Sequence, residues 1–163
     1  MKPAILFAIT QFLVTALALL RGGGPERSAA AMLIVAGLAT MAVASGGSYH
    51  FSALNWSLFW IDVGLFGCLA GLALVADRFW PMWLAALQLV AVASHGIRAY
   101  DPTLPPLGYW LIAGKIAYPM LMVLLLGTLR HRQRKFRGFP EYSWTIQRMK
   151  HDKRNYPSPP DIQ

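Results

Sequence analysis

Charge is scarce in this chain. Of 163 residues only 13% are charged, against about a quarter in a soluble domain, which argues against a protein wrapped in water. Cysteine is scarcer: Cys68 stands alone, so neither an intrachain disulfide nor a thiolate metal cluster can form. Short catalytic signatures are missing too. There is no nucleophile elbow, no HExxH and no close carboxylate pair. Ser94 and His95 are adjacent in sequence, which on a helix points their side chains apart rather than into a dyad. No repeat of solenoid length is present, and nothing resembles the inverted repeat of a transporter. These absences weigh against an enzyme.

What is present is apolar. Hydrophobic residues make up 56% of the chain and mean hydropathy is +0.43. Long apolar runs recur at about 3–20, 28–44, 56–76, 82–97 and 107–129. Each has roughly the length needed to cross a bilayer's hydrocarbon core as a helix. The expectation is an all-α, polytopic membrane protein: a five-helix bundle over 1–129 and a basic tail over 130–163. The first run competes with a secretory signal peptide, because Lys2 resembles an n-region. Arg21 and a Gly-rich turn follow it at once instead of a small-residue cleavage site, which favours a true span. RGGGPER (21–27), SGGSYHFSALN (45–55), DRFWP (77–81) and RAYDPTLPP (98–106) read as the connections.

Charge placement sets orientation. Nine of the fifteen Lys and Arg follow residue 129. With the tail in the cytoplasm, Arg21, Arg27 and Arg78 fall on the same side, and only Lys2 and Arg98 on the other. That places the N-terminus outside and the C-terminus inside. The net charge of +8 therefore reads as topology and contact with anionic lipid headgroups, through Arg130, Arg132, Arg134, Lys135 and Arg137. Nucleic acid is disfavoured because no folded recognition module is evident. Tyr142, Trp144, Ile146 and Met149 are interleaved with the tail charges. A short interfacial helix near 141–151, with Trp144 at the membrane surface or on a partner, competes with a solvated, disordered tail.

Small residues mark where helices meet in lipid. Ala4, Ala8, Gln11, Thr15 and Ala18 line one stripe of the first span; Ala30, Leu33, Gly37, Thr40 and Ala44 line one of the second. The third span carries Gly64, Gly67 and Gly71, the last two forming a GxxxG, and these are expected to pack against a neighbouring helix. On the opposite side of that helix lies Asp62, about 9 Å from the outer end of the span. Lys115 lies about 12 Å deep in the fifth span. His95, with Gln88 seven residues before it, ends the fourth span beside Arg98, and His50 sits in the outer loop. Asp62, Lys115, His95, Arg98, His50 and Gln88 thus gather at one level, and Asp62–Lys115 is the first pair of opposite sign. Intramembrane charges pair or face a wet cavity, and often carry function.

The leading expectation is a non-catalytic accessory or scaffolding subunit, associating laterally with a membrane-protein partner or with itself. A small transporter or ligand-binding protein using Asp62, Lys115 and His95 is the alternative. A redox protein holding haem b between His50 and His95, or a quinone near the outer interface, ranks below both. A zinc site from His50, His95 and Asp62 ranks lower again, having no close-spaced ligand pair. No cofactor is expected.

The turn Asp77-Arg78-Phe79-Trp80-Pro81-Met82-Trp83, with Gln88 and Tyr118-Pro119, resembles a group of small multispanning membrane proteins from alphaproteobacteria, over about residues 57–130. The resemblance implies a bacterial inner membrane and brings neither activity nor cofactor.

Overall fold

The computed structural model describes residues 3–45, 56–100, 115–137, 144–147 and 149, with the side chains of 3, 4, 98 and 99 outside that set. The fold is all-helical: α1 (Pro3–Arg21), α2 (Gly24–Ser45), α3 (Trp56–Val75), α4 (Trp80–Tyr100) and α5 (Ala117–Phe136). Among the described residues three segments are long and apolar enough to cross a membrane, Gly24–Ser45, Trp56–Val75 and Trp80–Ile97; Ile5–Arg21 is a shorter apolar helix. Large side chains such as Phe12, Leu20, Leu38 and Leu74 stand exposed. That surface suits a hydrocarbon solvent, where outward apolar residues cost nothing.

The helices follow one another up and down and close on themselves. α1 lies against α2 and α5, α3 lies between α2 and α4, and α4 returns to α5. Gly22 and Gly23 make the α1–α2 corner, where the Gly22 amide donates to the Ala18 carbonyl (2.9 Å). Helix α2 therefore begins four residues earlier than the apolar pattern indicates. Pro25 suits its first turn, which needs no amide donor there, and Glu26 belongs to the helix rather than to a loop. At the other extreme α5 outruns the apolar segment, continuing past Leu129 to Phe136. Arg, Gln and Lys are good helix formers, so a helix need not stop where hydrophobicity does.

We call the end of the bundle where α1, α3 and α5 finish and α2 and α4 begin the basic end. The core lies toward it. Ala18, Ala29, Ala30, Leu33, Leu69, Leu72 and Leu84 pack there with Met120, Leu121 and Leu124. The small-residue stripes of α1 and α2 meet over part of their length. Thr15 and Ala18 are buried, and the Gln11 side chain lies over Gly37 and donates from Nε2 to the Leu33 carbonyl (3.1 Å). Ala8, Thr40 and Ala44, at the opposite end of the same stripes, are exposed.

Two features of the packing bear on the α3 glycines and on Trp144. Among the described residues none packs on Gly64, Gly67 or Gly71: a Cβ built at any of them meets nothing there within 4 Å. Helix α3 turns its other sides to α2 and α4, leaving the glycine face outward. Trp144 is half-buried. It packs on Gly24 and pairs with Ala76 in an isolated antiparallel bridge, while the Thr145 hydroxyl donates to the Val75 carbonyl (3.1 Å).

Candidate functional site

Two polar clusters lie at opposite ends of the bundle. The first joins α3 to α4. Gln88 and His95, seven residues apart and so on one helix face, both reach Asp62. Gln88 donates from Nε2 to Asp62 Oδ1 (2.8 Å) and to the Asp62 carbonyl (3.3 Å). His95 Nε2 lies 2.9 Å from Oδ2. An ionised carboxylate only accepts, so Nε2 carries the hydrogen in this contact. Gln88 and His95 are buried, whereas the Asp62 side chain is 28% exposed. Phe59, one turn before Asp62, meets the His95 ring edge-on at 6.2 Å, and its own ring is flanked by Trp56 and Trp60.

The arrangement accounts for both carboxylate oxygens. Charge-assisted bonds of this kind are the strong ones, and together they clamp two antiparallel helices at a fixed register. The expected Asp62–Lys115 pair is not formed. Depth along a helix gives a level but not a neighbour, and among the described residues α3 packs chiefly on α2 and α4. Lys115 is exposed, its ammonium 5.8 Å from the centre of the Tyr118 ring. Ser94 is no partner for His95; its hydroxyl donates to the Ala91 carbonyl (2.7 Å). His50 lies outside the described residues, and so does the Arg98 side chain. The His50–His95 haem and zinc arrangements rest partly on that undescribed position. Among the described residues no group of three His, Cys, Asp or Glu converges on a point, and His95 Nε2 is turned toward Asp62.

The second cluster lies at the basic end, in residues that hydropathy does not mark. Glu26, from the first turn of α2, is fully buried, and its Oε1 lies 3.2 Å from Arg78 Nη1 in the α3–α4 turn. The other arm of the same guanidinium, Nη2, lies 3.2 Å from His131 Nδ1 on α5. Guanidinium only donates, so Nδ1 accepts as a bare nitrogen and the ring hydrogen sits on Nε2. Arg78 thereby ties three elements together. The ion pair is a contact of charges without hydrogen-bond geometry: both Glu26 oxygens are buried with no hydrogen bond, and the Trp80 indole N–H is buried likewise. The Trp80 ring lies over Gly127, where a Cβ would stand 3.0 Å from the indole. Gly23 and Gly24 leave room beside Glu26 for the His131 ring and for Trp144. The one signal in the sequence is sign: Glu26 is the sole acid in the first connection, and Arg78 lies in the next connection at the same end of the bundle.

The five cations expected at the membrane surface, Arg130, Arg132, Arg134, Lys135 and Arg137, are all exposed on the end of α5 and at its cap.

No family model, no curated protein and no solved structure matches this chain.

Proposed function

We propose that this is a five-span integral membrane protein, N-terminus outside and tail in the cytoplasm, that serves as a non-catalytic accessory or scaffolding subunit. A bacterial inner membrane is the setting we favour. The observation behind the reading is the disposition of α3. Its polar side is used inside the chain, where Asp62 is held by Gln88 and His95. None of the described residues covers its glycine side. In lipid, helices associate through close backbone approach, and a face of Gly64, Gly67 and Gly71 permits that approach to another membrane helix. Cys68 is exposed on the same side.

The test is recovery of the protein from membranes in mild detergent, followed by size determination and mass spectrometry of what accompanies it. The reading predicts a stoichiometric membrane-protein partner, or a defined oligomer that an oxidant links through Cys68. A monodisperse monomer under the mildest extraction would remove it.

The alternative, a small transporter or ligand-binding protein, draws on the partial exposure of Asp62. It predicts that Asp62→Asn abolishes transport while leaving the fold intact. The scaffold reading predicts that the same variant keeps its partner.

A further inference from the structure

We infer that the basic end of the bundle is a docking surface for the headgroups of anionic phospholipids, carried by the rigid extension of α5 rather than by a loose tail. The inference rests on the reading of the chain as a membrane bundle, and three observations carry it.

The first is reach. Helix α5 continues seven residues beyond Leu129 to Phe136, roughly 10 Å at the helical rise. A headgroup layer is roughly 5–8 Å deep. Arg130, Arg132, Arg134, Lys135 and Arg137 are exposed on this length of helix and at its cap, so they are held at headgroup level without the entropy cost of ordering a free segment.

The second is the sign of the field. Arg21 and Arg27 are exposed at the same end. Among the described residues the acids at this end are Glu26, buried on Arg78, and Asp77, half-buried in the turn. Burial of Glu26 removes the one carboxylate that stood beside Arg27 in sequence. The outward charge of this end is therefore positive, with no exposed carboxylate among the described residues.

The third is apolar company. Phe136 is 94% exposed amid the α5 cations, and Phe79 and Trp83 are exposed where α4 begins. Cations mixed with aromatic side chains suit the boundary between phosphates and acyl chains. A nucleic acid would use the same charges, but these stand within two turns of an apolar helix surface, where lipid phosphates are the nearest anions.

The full chain in mild detergent, titrated with phosphatidylglycerol or phosphatidylcholine of identical acyl chains, gives the test by native mass spectrometry. Phosphatidylglycerol should bind at least about tenfold more tightly, and the preference should shrink as salt rises. Arg132→Gln with Lys135→Gln and Arg137→Gln should weaken phosphatidylglycerol binding by about fivefold per charge removed. Arg132→Lys with Arg137→Lys should retain it. All three sites are exposed, so an unchanged melting temperature separates lost binding from lost fold. Equal affinity for the two lipids overturns the inference, and so does indifference to the glutamines or a nuclease-sensitive load with no lipid preference. Release of the chain from membranes by alkaline carbonate would remove the membrane reading itself. Retention without lipid preference would remove this inference alone.

Discussion

The two polar clusters are built from similar groups and solve the burial of charge differently. At one end Asp62 keeps partial exposure, and each of its oxygens meets a partner on α4. At the basic end Glu26 is fully buried, faces Arg78 at 3.2 Å, and has no hydrogen bond on either oxygen. A buried charge is tolerable only while its counter-charge is present. A carboxylate held by an amide and an imidazole depends less on any single partner. The difference teaches that the basic end is the brittle one. One guanidinium there joins α2, the α3–α4 turn and α5, and the core packs alongside.

The largest effect should therefore come from Arg78→Met, which strands Glu26 and costs about 3–5 kcal/mol, seen as a large fall in melting temperature in detergent. Adding Glu26→Gln should recover more than half of that loss, because the pair as a whole contributes far less than either half deprived of its partner. If the double variant melts as low as the single, Arg78 acts through something other than Glu26. Next comes Asp62→Ala, which removes both carboxylate oxygens that Gln88 and His95 reach and leaves Gln88 only its longer bond to the main-chain carbonyl at that position; it should cost about 2 kcal/mol. Asp62→Asn should cost about 1 kcal/mol or less, since its carbonyl accepts from Gln88 and its amide donates to the other histidine tautomer. Equal losses for Ala and Asn would show that charge, not hydrogen bonding, holds α3 to α4.

Glycines extend the same contrast to smaller effects. Gly127→Ala would bring a methyl group to 3.0 Å from the Trp80 ring and should cost about 1–2 kcal/mol through overpacking. Gly67→Ala meets open space and should be neutral or stabilising by up to about 1 kcal/mol, as alanine is the better helix former.

Much of this architecture is legible in the sequence. Hydropathy marked five helices, and the described ends of α1 and α3 lie within a residue of those expected. The seven-residue spacing of Gln88 and His95 placed them on one face. Azimuth was not legible: Asp62 and Lys115 share a level, yet α4 supplies the partners of Asp62. The α3 glycines signalled close packing but not whose helix would supply it. Glu26 and His131 were hidden for a related reason. One stood in a connection between two apolar runs and the other in a run of arginines, where hydropathy reads loop and tail although both residues are helical.

The central claim is that the glycine face of α3 serves association while the polar residues serve the fold. It is tested most directly by Gly67→Leu with Gly71→Leu, taken through extraction, size determination and melting together. The account predicts an unchanged melting temperature for the isolated chain, because a Cβ at either position meets none of the described residues within 4 Å, and loss of the partner or oligomer. A variant that keeps its partner would contradict it, as would one that unfolds.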